Sequence, residues 1–284
     1  MTSLPTLKPN KKYNHRQWQA RLSLRYKNSK DKTVISHKQH YGPLTVQKPF
    51  YPEKEVCHTY LLHPPGGVVG GDQLNIHVDV EPEAHALITT PASGKFYRCD
   101  DRHATQIQDL NVAEQGILEW LPQESILFDH AKVHAHTQVT LSADAKFCGW
   151  EIFCLGRPAS DEQYDHGFYR QVFEISRDSE KIFIERSRLD GSSEILTGAW
   201  GMQSFTVLGV MVVTSANTDM LLKAREAKEV KQGIAGVTLI KDLLICRCLG
   251  QQGIEVREYF TRVWQQLRPD WIDKKAIEPR IWYT

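Results

Sequence analysis

Trp18-Gln19-Ala20-Arg21-Leu22-Ser23-Leu24-Arg25-Tyr26 sets Trp18, Ala20, Leu22, Leu24 and Tyr26 at alternate positions, with Arg21, Ser23 and Arg25 between them. Successive side chains of an extended chain point to opposite faces, so this stretch reads as a strand with one face for a core and one for solvent. The pattern returns at Val133, Ala135, Thr137, Val139 and Leu141, opposed by His134, His136, Gln138 and Thr140. Between the two, segments 84–90, 104–112 and 116–121 read as further strands with turn residues at their joints.

Downstream, 168–175 and 181–186 flank Arg177-Asp178-Ser179-Glu180 and predict a hairpin. Segment 205–214 is an apolar, buried strand, and 237–248 is a second hairpin turning at Lys241-Asp242. Only two stretches carry helical spacing. One is 217–232, with Met220, Leu221, Ala224, Ala227 and Val230 on one stripe and Gly233 placed as a C-cap. The other is 254–266, striped by Val256, Tyr259, Phe260, Val263 and the following Leu267, with Pro269 beyond its end. Runs of strands followed by isolated helices exclude strict βαβ alternation and point to a mainly β fold of many strands with about two α-helices. No exact internal repeat is visible.

A chain of 284 residues, 41% apolar and 24% charged, is long enough for one large core, and one domain over 1–284 with a flexible 1–12 is expected. With 35 Lys and Arg against 34 Asp and Glu, the net charge of +1 argues against nucleic acid or an anionic membrane as partner. Lys8, Lys11, Lys12, Arg16, Arg21, Arg25, Lys27, Lys30 and Lys32 face only Asp31, which reads as a solvated edge strand with a frayed start. No run is long enough for a transmembrane helix and Met1–Asn10 lack an apolar signal core, so a cytoplasmic protein is expected. The six cysteines contain no Cys-x-x-Cys pair and read as reduced and mostly buried.

The motifs that invite catalysis fail the geometry it needs. His63-Pro64-Pro65-Gly66-Gly67-Val68-Val69-Gly70-Gly71-Asp72 is glycine-rich, but an alternating strand, 74–80, follows it where a phosphate loop needs a helix N-terminus. Gly94-Lys95 is followed by Phe96, where a nucleotide site needs Ser or Thr. His134 and His136 share a strand face and could ligate a metal, which leaves a metal-dependent hydrolase as an alternative; alternation alone already predicts polar residues there. Asp72, Glu124, Asp129 and Glu151 sit among apolar neighbours, where an ionised carboxylate needs a cation, a partner or water.

Several of these strings resemble the urease accessory protein D family, also called UreD or UreH. They are Leu61 to Asp72; Ile88-Thr89-Thr90-Pro91 with Lys95-Phe96-Tyr97-Arg98; and Trp120 to Asp129. Gly149-Trp150-Glu151, Cys154-Leu155-Gly156-Arg157, Glu185-Arg186 and Pro279-Arg280-Ile281-Trp282 follow in the expected order. The resemblance implies a β-helix-like stack with two helices. It further implies a non-catalytic scaffold of urease maturation that binds apo-urease and accessory protein F. Nickel from the GTPase accessory protein G would pass through its interior, with GTP bound by G and no cofactor of its own. Asp72, Glu124, Asp129 and Glu151 are the expected lining or orienting groups of that transient passage, because scattered carboxylates hold Ni2+ more weakly than a closed cage. The rival without this resemblance is a β-rich binding module unrelated to urease.

Overall fold

The computed structural model describes residues 18–227 and 230–283. The flexible start expected at 1–12, and Arg16, lie outside the described residues. The opening stretch forms β1 (Gln19–Ser29), which turns back as β2 (Lys32–Tyr41). β3 (Thr45–Val46) and β4 (Cys57–Leu62) start a second sheet. The chain then coils between the sheets through β5 (Gln73–Val80), β6 (His85–Thr89), β7 (Gly94–Phe96), β8 (Ala104–Val112), β9 (Ile117–Trp120), β10 (Ser125–Leu127), β11 (Lys132–Leu141) and β12 (Lys146–Leu155). The hairpin of β13 (Phe168–Arg177) and β14 (Glu180–Asp190) closes the first sheet. A single-turn α1 (Glu194–Thr197), β15 (Val207–Val213), α2 (Thr218–Arg225), the hairpin of β16 (Gly233–Ile240) and β17 (Leu243–Gly250), and α3 (Gly253–Ile272) complete it.

The first sheet runs β14-β13-β11-β8-β5-β1-β2 and the second β16-β17-β15-β12-β9-β6-β4-β3, with β10 pairing with β12 and β7 with β10. β1, β5, β8, β11 and β13 are parallel and in register, so Leu24, Val78, Leu110, Val139 and Ile175 form one inward rung, all fully buried. This solenoid-like stack needs no repeated sequence, only an inward apolar residue at the same register in each coil. One core lies between the sheets. A second lies between the second sheet and α2 and α3, where Trp150, Phe260, Trp264, Trp271 and Trp282 pack. Covered on both faces, β6 buries all five of its residues, which is why it reads as a continuous run rather than an alternation.

Three expectations change. β1 is not an edge strand: it lies between β5 and β2, and Arg21 and Arg25 project from the sheet's outer face. Gly233 caps no helix. α2 ends at Arg225, and Gly233 opens β16 against Gly250, where a Cβ would lie 2.3 Å from the Leu249 carbonyl oxygen. α3 continues through Pro269 to Ile272, because Trp271 is buried and its indole N–H donates to the Thr214 carbonyl at 2.8 Å, holding the last turn to the sheet. Helix propensity yields here to packing. The expected strands, hairpins and free, mostly buried cysteines are otherwise present.

α3 is pinned by charge as well as by its aromatic face. Arg268, fully buried, lies 3.0 Å from Glu119 of β9, also fully buried, and 2.7 Å from Glu53. Glu119 accepts from the Trp264 indole at 2.5 Å and lies 2.7 Å from His85, while His58 lies 2.8 Å from Glu53. Burial pushes the Glu119 carboxyl up, but the His85 contact and the Arg268 charge overcome it and hold the group down at about 2. Removing one member of such a set strands the others without a partner. Arg268→Met is expected to lower the unfolding free energy by about 3–5 kcal/mol, read from urea midpoints near neutral pH. Adding Glu119→Gln should recover part of that loss. The Glu119 contribution is full above about pH 4.5 and disappears as pH falls toward 2, so the gap between wild type and Arg268→Met should narrow on acidification. A single variant with the wild-type midpoint would remove this role from Arg268.

Candidate functional site

Alternation predicts apolar residues on every inward rung, yet two adjacent rungs of the first sheet carry Gln106 and Gln171, then Gln108 and Thr137. On β8 the pattern is inverted: Gln108 is buried while Ile107, pointing outward, is 40% exposed. Glu151 of β12 faces this polar vein from the second sheet. The Gln171 amide donates to Glu151 Oε2, and the Thr137 hydroxyl pairs with Glu151 Oε1.

Thr137 Oγ1 also lies 2.8 Å from Gln108 Oε1. One hydroxyl proton cannot serve two acceptors. A proton on Glu151, which then donates to Thr137, removes the conflict, as does a turned Gln108 amide that donates to Thr137. Burial favours the proton and pushes the Glu151 carboxyl up to about 7, against the hydrogen bonds from Thr137 and Gln171. The vein opens into an inter-sheet cavity of about 250 Å³ whose wall includes Gln106, Gln108, Trp120, Phe153 and Glu151, with His63, Ser93 and Gln123 also contributing.

Of the four carboxylates read from the sequence, Glu151 lines this cavity. Glu124 stands behind its wall: Oε1 accepts from the Ser93 hydroxyl at 2.7 Å, and Arg257 of α3 lies 3.5 Å from Oε2. Gly253 lets the start of α3 approach, since a Cβ there would lie 2.9 Å from Glu124 Cγ. Asp72 is buried and ties the glycine-rich turn to β1, accepting from the Val69 N–H at 3.1 Å and the Trp18 N–H at 2.9 Å. Asp129 lies elsewhere, beside His130 and His166. Neither Asp72 nor Asp129 is part of the cavity wall.

The glycine-rich turn and the Gly-Lys pair behave as read. Gly66 and Gly71 adopt φ of 79° and 96°, a strand follows the turn, and Gly94-Lys95 lies in β7. His134 and His136 point away from the core into a shallow groove shared with Arg170. The His134 ring packs on His103 at 4.5 Å, and His136 lies 3.3 Å from Glu174. Among the described residues no third His, Cys, Asp or Glu joins the two histidines as a metal-ligand group. Gln106, Gln108, Thr137 and Gln171 were missed by the sequence reading. The available signal was polar residues in the inward phase of strands otherwise apolar in that phase.

A family model described as the UreD urease accessory protein matches residues 19–283. The chain is 44% identical over 276 residues to the urease accessory protein UreD of Alcanivorax borkumensis, covering 95% of this chain and 94% of that protein. It is 42% identical over 271 residues to the protein of the same name from Citrobacter koseri, covering 95% and 93%. To that from Escherichia coli it is 42% identical over 278 residues, covering 94% and 97%. The chain belongs to the UreD family of urease accessory proteins.

A carboxyl raised from 4.5 to about 7 favours the fold fully below pH 4.5, and that support is lost as pH rises through 7. Glu151→Gln, which keeps the shape and stays neutral, is therefore expected to gain on wild type as pH rises from 5 to 8. The gain should reach on the order of 3 kcal/mol, read from unfolding midpoints across that range. Parallel pH profiles for the two proteins would show that Glu151 does not titrate there.

Proposed function

We propose, from membership of the UreD family, that this chain is a non-catalytic scaffold of urease maturation that binds apo-urease and accessory protein F in the cytosol. Through that complex it helps deliver nickel from the GTPase accessory protein G to the urease active site, with the ion passing through the inter-sheet cavity. The observation that carries this reading is Glu151, a neutral-range carboxyl walled in by amide and hydroxyl groups between two apolar sheets. Ni2+ accepts carboxylate, imidazole, carbonyl and water ligands. One ionisable ligand that exchanges a proton for the ion holds it weakly enough to let it go, as a closed set of four ligands would not.

The glycine-rich turn leads into a strand and Gly94-Lys95 lies in β7, and in this reading GTP is bound by G. No described helix is long and apolar enough to cross a membrane. Glu124 serves in this scheme by fixing Ser93 at the cavity wall, and Asp72 by fixing the turn that carries the wall residue Gly66.

Co-expression with urease subunits and accessory proteins F and G tests both halves. The affinity-purified chain is expected to retain F and urease, and Glu151→Leu is expected to retain them equally. With Glu151→Leu the rate of nickel incorporation into urease should fall about tenfold. A complete complex with an unchanged rate would sink the passage while leaving the scaffold, and failure to retain F and urease would sink the scaffold.

A further inference from the structure

Away from the cavity, two loops are stitched together so that a carboxylate and two imidazoles converge. Asp129 and His130 follow β10, and His166 precedes β13. Asp129 Oδ1 accepts from the backbone N–H groups of Asp165 and His166 at 3.0 and 2.8 Å, and the His130 N–H donates to the His166 carbonyl at 3.1 Å. Gly167, with φ of 96°, allows the close approach: a Cβ there would lie 2.2 Å from the Ala131 carbonyl oxygen. The backbone thus fixes Asp129 through one oxygen and leaves the other free to act.

That second oxygen, Oδ2, lies 3.2 Å from His166 Nδ1 and 3.3 Å from His130 Nε2. The two imidazole rings stack with centroids 4.2 Å apart and planes within 1°, so their in-plane lone pairs run parallel, and a shared ion requires one of these exposed rings to turn about its side-chain torsions. One donor atom from each residue falls within 4.8 Å of the other two. A first-row metal ion with bonds of about 2.1 Å sets neighbouring donors about 3.0 Å apart in octahedral and about 3.4 Å apart in tetrahedral geometry. The two O···N edges already have coordination spacing. The side chains of His166 and His130 are 61% and 40% exposed, so the remaining positions open to water.

We propose that Asp129, His130 and His166 form a surface site for a divalent first-row transition ion such as Ni2+, Co2+ or Zn2+. Two imidazoles beside a single carboxylate select these ions over Ca2+ and Mg2+, which take all-oxygen sites. An open, three-ligand site leaves positions for water or an incoming ligand, which a closed four-ligand site does not. The site stands independently of the cavity passage, because none of its three residues lines that cavity.

Titration of the purified full-length chain with Co2+, followed by its visible d–d absorption and by calorimetry, tests this. Wild type is expected to show an imidazole-ligated Co2+ signal that Ni2+ displaces and Mg2+ does not. His166→Ala, at an exposed position, and Asp129→Asn, which keeps the Oδ1 acceptor, should each weaken that binding at least about tenfold with thermal midpoints near wild type. His40→Ala, at an exposed histidine outside the cluster, should leave the signal unchanged. Co2+ stoichiometry, affinity and spectrum unaltered in both His166→Ala and Asp129→Asn would overturn the assignment.

Discussion

The Arg268–Glu119 pair is the contact on which the order of the three layers rests. Apolar burial holds α3 against the second sheet but is indifferent to small slides along it. A guanidinium with no exposure tolerates no such freedom, since a shift would leave charge buried and unpaired. Arg268 meets Glu119 in the sheet and Glu53 in the segment before β4 at once. α3 is a continuous rod from Gly253 to Ile272, so fixing Arg268 near one end places Gly253 at the other, against Glu124 and Cys154. Glu124 in turn holds Ser93, a cavity-wall residue. The ion pair and the cavity wall are therefore two ends of one lever.

Between the sheets the constraint is of the opposite kind. The rung of Leu24, Val78, Leu110, Val139 and Ile175 excludes water completely, while two neighbouring rungs replace apolar side chains with glutamines and a threonine. Buried polar groups are tolerated only when each finds a partner. Gln171, Glu151, Thr137 and Gln108 satisfy one another as a chain. A sheet built only for stability would fill this space with aliphatic side chains, as its neighbouring rung does. Ile107 facing solvent beside an inward Gln108 shows that apolar residues were not in short supply on that strand.

The strands were legible because their cause is local: period-two alternation in β1 and β11 follows from having one wet and one dry face. Helix ends were less so, because their causes are distant. Nothing within 254–266 shows that Trp271 reaches the Thr214 carbonyl, the contact that carries the helix past Pro269. The parallel stacking was likewise invisible in periodicity, since register between coils is set by partners far apart in the sequence; the family resemblance supplied it. Glu151 stood out as a carboxylate among apolar neighbours. Its partners Thr137 and Gln171 lay unnoticed in strands whose phase was otherwise correctly read, and His166 could not be joined to Asp129 without the loop that brings them together.

In the proposed roles, Glu151 and the Asp129 cluster would sit at opposite ends of a trade-off in handling a metal ion. An exposed site with two imidazoles offers good ligands and cheap desolvation, because the ion keeps part of its water shell. Inside the cavity the ion would lose more of that shell, and charge in a low-dielectric space is costly without full compensation. A single carboxylate cannot supply that compensation alone. The amide groups of Gln106 and Gln108 in the wall would add dipoles without adding charge. With burial pushing the Glu151 carboxyl up to about 7, replacing its proton by a divalent ion would change the enclosed charge by one unit, whereas a preformed cluster of anions would bind the same ion too tightly to surrender it. In the proposed passage, economy of charge in the interior would make release as accessible as entry.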